Sequence, residues 1–174
     1  MGRNILIIID MQNDFITGAL GTPEAQAIVP YVKNQLKFAR EQGYEIYFTF
    51  DTHNENYFNS LEGRVLPVSH CQFGTKGWDI CENLNDTWSH NVLKSTFGYS
   101  NWNHILGSDV NIDHIVLMGV CTDICVISNA LILRAWYPNT PIYVDQSGCA
   151  GTTPENHQAA LRVMESCQIR LIGE

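Results

Sequence analysis

The stretch Ile115-Val116-Leu117-Met118-Gly119-Val120-Cys121-Thr122-Asp123-Ile124-Cys125-Val126 decides the fold. Its first four residues form an apolar run without alternation, the pattern of a strand buried on both faces, as in a parallel sheet. A glycine and a polar turn follow. Thr122 to Tyr137 then carries Cys125, Val126, Ala130 and Leu133 at helical spacing, and Pro138 stops the helix. Working outward, Ile5–Ile9, Tyr44–Phe50, Ile142–Val144 and Ile169–Ile172 repeat the buried-strand pattern, and Asn91–Leu93 is a candidate sixth strand. Helical stretches lie between them. Pro30 fits a first helical turn, with Val32, Leu36 and Ala39 following and Gly43 ending the run. Thr153-Pro154-Glu155 offers an N-cap, a first-turn proline and an acid that complements the helix dipole, ahead of Ala160, Val163 and Met164 on the inner face. This alternation predicts an α/β fold: a doubly wound, mostly parallel six-stranded sheet with helices on both faces and right-handed crossovers. Ligands of such sheets bind beyond the C-terminal strand ends. Asp10, the Asp51–His53 pair and the Cys121–Cys125 stretch all fall there.

The 174 residues suit a single domain spanning 1–174. Charged residues make up only 16% of the chain and hydrophobic ones 45%, which argues against disorder. The net charge of −8 disfavours nucleic acid and anionic membrane surfaces as partners, because phosphate binding needs a basic footprint. Ile5–Ile9 is the longest purely aliphatic run, far short of the roughly 20 residues that cross a bilayer. No cleavable signal peptide reads out of the N-terminus. The six cysteines do not frame loops as in a small secreted domain, so free thiols in a reducing cytoplasm are expected.

Cys125 sits where a strand-to-helix turn becomes helix. Unpaired N–H groups and the positive dipole end there are expected to lower its pKa and to offer an oxyanion site; the bland alternative is a small buried cysteine. Asp10 follows directly on a buried strand, where a carboxylate is costly unless paired or functional. Lys94 ends the candidate strand Asn91–Leu93. Each has a structural explanation alone. Together an acid, a lysine and a cysteine at three strand ends make an activated nucleophile with a proton acceptor and a cationic partner. In Asp51-Thr52-His53, residues two apart share a face of an extended segment, and Asp plus His suits a divalent metal. His70 and Glu62 are candidates to complete that shell. Cys71 is not counted as a ligand, because neighbours in extended chain point apart. Cys121 and Cys125 lack a second Cys/His pair at zinc-finger spacing.

In order along the chain, Ile7-Ile8-Ile9-Asp10-Met11-Gln12-Asn13-Asp14-Phe15, Asp51-Thr52-His53, Leu66 through Gly77, Lys94 through Tyr99 and Gly119 through Val126 resemble five motifs of one family, the isochorismatase-like cysteine hydrolases, and within it the nicotinamidase/pyrazinamidase branch. The resemblance implies a catalytic triad of Asp10, Lys94 and Cys125. It also implies a cis peptide at Val120–Cys121 and an oxyanion hole from the backbone N–H groups of Cys121 and Cys125. Asp51, His53 and His70 match the ligands of a divalent metal, zinc with iron or manganese as alternatives, and Glu62 stands where some members carry a fourth. Phe15 matches a residue that packs on the substrate ring, and Val120 and Tyr99 join it as expected substrate contacts. The branch implies hydrolysis of a small-molecule amide, nicotinamide first, without an organic cofactor, in a homo-oligomer. Two departures stand out: Leu66 replaces the usual aromatic before the Pro-x-His stretch, and one extra residue precedes His70. Another C–N hydrolase of the family, acting on an N-carbamoyl or ureido group, stays open. So do an isochorismatase-type hydrolase, against which Cys125 argues, and a non-enzymatic thiol or binding protein. Tyr99 and Trp102 are the aromatics expected to wall a pocket. His90, His104, His114 and His157 show no partner pattern.

Overall fold

The computed structural model describes residues 2–84, 88–107 and 111–174. Six strands run in the spatial order β3-β2-β1-β4-β5-β6, and every pairing is parallel. They are β1 (Arg3–Ile9), β2 (Glu45–Asp51), β3 (His90–Lys94), β4 (Ile112–Val120), β5 (Ile142–Ala150) and β6 (Arg170–Ile172). The longer helices are α2 (Pro23–Glu41), α5 (Ile127–Trp136) and α6 (Pro154–Ser166); α1 (Asn13–Ile16), α3 (Leu61–Val65) and α4 (Trp102–Leu106) are single turns in the connections. Helix α2 packs on one face of the sheet and the mutually packed α5 and α6 on the other.

The two central strands explain the apolar runs. In β1, Ile5, Ile7, Ile8 and Ile9 are fully buried, and Ile115 and Leu117 of β4 match them. Strand order reverses between β1 and β4, the place where a doubly wound sheet opens a crevice. Register sets what stands around it. Ile9 pairs with Gly119, so Asp10 and Val120–Cys121 leave the sheet side by side. Asp51 pairs with Lys94, so the ends of β2 and β3 are level. Gly119 has φ +130°, and a Cβ there would lie 2.1 Å from the Ile9 carbonyl oxygen, so only glycine fits this close approach.

Three sequence expectations need correction. Helix α2 begins at Pro23, not near Pro30: Thr22 Oγ1 caps it by accepting from the Ala25 N–H at 3.0 Å, and Pro30 lies inside. Thr22-Pro23-Glu24 carries the same cap, proline and acid seen at Thr153-Pro154-Glu155, so the signal was in the sequence. Strand β5 runs on past Val144 to Ala150, because its polar residues Asp145 to Ser147 cross an irregularity where the pairing shifts between Leu117 and Gly119 of β4. Cys125 lies not in the first α-helical turn but in a π-helical turn, Thr122–Val126, in which the Val126 N–H donates to the Cys121 carbonyl at 3.1 Å.

Candidate active site

Each key side chain is delivered by the end of a strand. Asp10 follows β1 with φ +48°, a left-handed conformation that is uncommon outside glycine and turns its carboxylate into the crevice. Thr49 of β2, fully buried, donates from Oγ1 to Asp10 Oδ1 at 2.6 Å and accepts from the Asp10 N–H at 3.1 Å. Lys94, the last residue of β3, places Nζ 2.6 Å from Asp10 Oδ2, 3.6 Å from Cys125 Sγ and 3.5 Å from Asp51 Oδ1. The three residues expected from strand ends thus meet in one buried cluster. The peptide between Val120 and Cys121 is cis, as the resemblance implied.

The charges in this cluster follow from burial and pairing. Burial alone would lower the Lys94 pKa, but Asp10, Cys125 and Asp51 outweigh it and hold the ammonium well above its ordinary value. Burial raises the Asp10 carboxyl against the pull of Lys94. Burial also pushes the Cys125 thiol well up, Asp10 adds to that, and Lys94 opposes it. This runs against the expectation of a low-pKa thiol: desolvation of the buried thiol, with the Asp10 charge added, outweighs the attraction of Lys94. Burial and the Asp10 charge thus both favour the neutral form of the thiol, which lies beside the close Asp10–Lys94 pair.

A second cluster adjoins it. Donor atoms of Asp51, His53, Glu62 and His70 all lie within 4.8 Å of one another. His53 Nε2 is 2.9 Å from Asp51 Oδ2 and 3.6 Å from Glu62 Oε1; His70 Nε2 is 3.4 Å and 3.8 Å from the same two oxygens. Four ligands at about 2.0–2.2 Å around one tetrahedral ion would be about 3.3–3.6 Å apart, so the spacing fits a divalent cation. His70 Nδ1 sits 2.8 Å from the Val68 carbonyl, which favours the tautomer that leaves Nε2 free to ligate. Two imidazoles and two carboxylates suit zinc, iron or manganese. Tyr57, missed in the sequence, wedges against both rings, 4.5 Å from His53 and 5.1 Å from His70, and its hydroxyl donates to the Leu66 carbonyl at 2.9 Å. Cys71 stays out of the cluster, as expected.

Thiol and cation donors open on one cavity of about 340 Å³, lined by Cys125, Cys121, Asp51, Glu62 and His70, with apolar walls from Phe15, Leu20, Leu66, Phe97 and Ile124. Phe15 takes its expected place, edge-on to His70 at 5.7 Å. Val120, Tyr99 and Trp102 do not line the cavity. Val120 is packed in the core, Tyr99 lies against Trp102 at 5.3 Å, and Trp102 is fully buried. Phe97, two residues before Tyr99, turns to the cavity instead. Asn129 was also missed. Fully buried on α5, it accepts at Oδ1 from the Tyr99 N–H (2.9 Å) and Trp102 Nε1 (3.0 Å), and donates from Nδ2 to the Cys125 carbonyl (2.8 Å). His157 is not partnerless either: its Nδ1 lies 2.8 Å from Thr122 Oγ1 in the turn that carries Cys125.

Among the described residues all six cysteines are free, and no helix is long and apolar enough to cross a membrane. Comparison with known proteins agrees with this architecture. The isochorismatase domain model matches residues 4–173. The pyrazinamidase/nicotinamidase of Streptococcus mutans is 31% identical, with 97% of this chain and 99% of that one covered and a TM-score of 0.84. The pyrazinamidase of Pyrococcus horikoshii, solved in complex with zinc, is 27% identical, with 99% of each chain covered and a TM-score of 0.87. A probable inactive nicotinamidase of Arabidopsis thaliana is 27% identical over 95% of this chain and 89% of that one. With the family model matched over nearly its whole length, this chain belongs to the isochorismatase family.

Proposed function

We propose that this protein is a cysteine amidohydrolase that cleaves a small, uncharged aromatic carboxamide, with nicotinamide the first candidate, into the carboxylic acid and ammonia. The observation that carries the reading is that Lys94 Nζ lies within 3.6 Å of both Asp10 Oδ2 and Cys125 Sγ, beside a cavity that Cys125 lines together with cation donors. The names of the Streptococcus and Pyrococcus relatives support the amide class. Among the described residues, no arginine or lysine lines the cavity. That favours a neutral substrate over an N-carbamoyl amino acid, whose carboxylate needs a cationic partner.

The chain's own groups account for the proton traffic. Asp10 accepts the proton from Cys125 Sγ as the sulfur attacks the carbonyl carbon. Lys94, fixed as an ammonium, stabilises the negative charge on whichever partner carries it. The N–H groups of Cys121 and Cys125 face the developing oxyanion. Asp10 returns the proton to the departing nitrogen, so ammonia leaves and a thioester to Cys125 remains. Asp10 then draws a proton from water, the hydroxyl adds to the thioester, and the acid leaves as Sγ regains its proton. Asp51, His53, His70 and Glu62 would hold a divalent cation, which as a Lewis acid supplies an electrophilic contact for a ring nitrogen. Phe15 and Phe97 give the ring apolar walls.

The test is ammonia release from nicotinamide by zinc-loaded protein, beside Cys125→Ala and a chelator-stripped sample. Release from the loaded protein, lost in both controls, is expected. Release that persists in Cys125→Ala would remove the mechanism. No release from the loaded protein would remove the substrate, an outcome in line with the Arabidopsis relative named a probable inactive nicotinamidase.

A further inference from the structure

Beyond Asp10 and Phe15, the segment after β1 carries two side chains that act on the cation donors without belonging to them. Gln12 is fully buried. Its Nε2 donates to the Asp51 carbonyl at 2.9 Å, and its Oε1 accepts from the Asp51 N–H at 2.8 Å. The β1–β2 ladder ends at Ile8 and Phe48, so on that side the peptide of Asp51 has run past its neighbour strand. The Gln12 carboxamide takes the place of the missing strand, presenting one donor and one acceptor as a peptide unit would. A third bond, from Nε2 to the Trp78 carbonyl at 2.8 Å, fixes the carboxamide from behind.

Asp14 does the same for His70. Its Oδ2 accepts from the Cys71 N–H at 2.8 Å, and Cys71 sits at φ +45°, a conformation that costs energy for a non-glycine residue and needs such a restraint. Holding Cys71 fixes the chain direction of the adjacent His70. Gly77 makes room, since a Cβ there would lie 2.2 Å from the Asp14 carboxylate.

We infer that Gln12 and Asp14 are positioning residues that hold Asp51 and His70 in liganding geometry before any cation arrives. This rests on the cation reading under Proposed function. Outer partners of metal ligands change affinity by about 10–100-fold. Neither residue lines the thiol cavity, so cation affinity and thiol chemistry should separate.

The experiment is zinc affinity by competition with a chromophoric chelator, alongside the alkylation rate of Cys125 and the melting temperature. Gln12→Met keeps the shape but loses the bonds, and Asp14→Ala loses the acceptor; both should bind zinc about 10–100-fold more weakly. Asp14→Asn keeps an acceptor for the Cys71 N–H and should recover most of that roughly 10–100-fold loss. Cys125 alkylation should be unchanged in all three. Wild-type affinity in Gln12→Met and Asp14→Ala overturns the inference alone. Losses of affinity, alkylation and melting temperature in parallel, without rescue by Asp14→Asn, also overturn it, since they mark general damage. A wild-type protein that binds no zinc overturns both this inference and the cation reading.

Discussion

Lys94 Nζ stands 2.6 Å from Asp10 Oδ2, and both side chains are almost wholly enclosed. An ion pair so far from water gains little net stability, because desolvation offsets the attraction, yet breaking it strands a charge. Lys94→Met should therefore destabilise the fold by about 3–5 kcal/mol in urea unfolding. Adding Asp10→Asn should recover most of that loss, because the carboxylate no longer needs a partner. A double variant as unstable as Lys94→Met would show that the lysine's packing, not its charge, is what matters.

The thiol's surroundings separate reactivity from turnover. Burial and the Asp10 charge both hold the Cys125 pKa high. Alkylation of wild-type Cys125 by iodoacetamide should therefore climb about tenfold per pH unit from 7 to 9 without a plateau, since a thiol above its usual ~8.5 is still largely protonated there. Asp10→Asn removes a charge that raises the thiol, so alkylation at fixed pH should quicken severalfold. Turnover should fall by about 10²–10⁴, because the proton acceptor is gone. Alkylation that slows in step with turnover would mean that Asp10 promotes the thiolate in the resting site.

At the opposite end of the sheet, the Arg3 guanidinium makes a paired contact with Glu45 at 2.7 Å on both oxygens. That hydrogen bonding holds the Glu45 carboxyl below its usual value. A carboxylate with a depressed folded-state pKa contributes stability above its unfolded pKa and loses it as pH falls through the folded value. Both side chains are about a third exposed, so solvent limits the contribution to about 1 kcal/mol or less. Glu45→Gln should lower stability at pH 7 by that amount and leave it unchanged near pH 2. A difference that persists at pH 2 would point to packing instead.

Strand ends were the legible part of the site, since a charged residue directly after a buried apolar run needs a reason. Asp10 and Lys94 could be found that way, Cys125 by its place in the strand-to-helix turn, and Asp51 and His53 by their two-residue spacing. The residues that brace them could not. Thr49 reads as one more β-former in the run from Tyr44 to Phe50, and nothing local shows that its strand lies beside the Asp10 strand. Asn129 is a polar residue in a largely apolar helix, a signal of buried hydrogen bonding that does not name the partner, and Gln12 lies among polar neighbours where no such signal shows. The expected direction of the Cys125 shift failed for a related reason: a turn's dipole is visible in sequence, whereas burial and the nearness of Asp10 are tertiary properties. Tyr99 and Trp102 failed as cavity walls because both are drawn to Asn129, leaving Phe97 to face the cavity.

Asn129 joins the nucleophile turn to that wall. Its four polar contacts reach the Cys125 carbonyl, the Phe97 carbonyl, the Tyr99 N–H and Trp102 Nε1; those to Cys125 and Trp102 are buried and the other two partly so. Truncation to alanine leaves those groups unpaired, and each buried unsatisfied group costs about 1–3 kcal/mol, with partial relief as the chain relaxes. Asn129→Ala should therefore cost about 3 kcal/mol in urea unfolding. Trp102→Phe gives up only one of the four contacts and should cost about 1–2 kcal/mol. Turnover should separate the two. Asn129→Ala loosens both the peptide of Cys125 and the segment that presents Phe97, so kcat should fall and KM should rise. Trp102→Phe leaves both in place and should change stability alone. Matched kinetic losses in the two variants at a temperature where both are fully folded would show that Asn129 acts on the site only through the packing of Trp102.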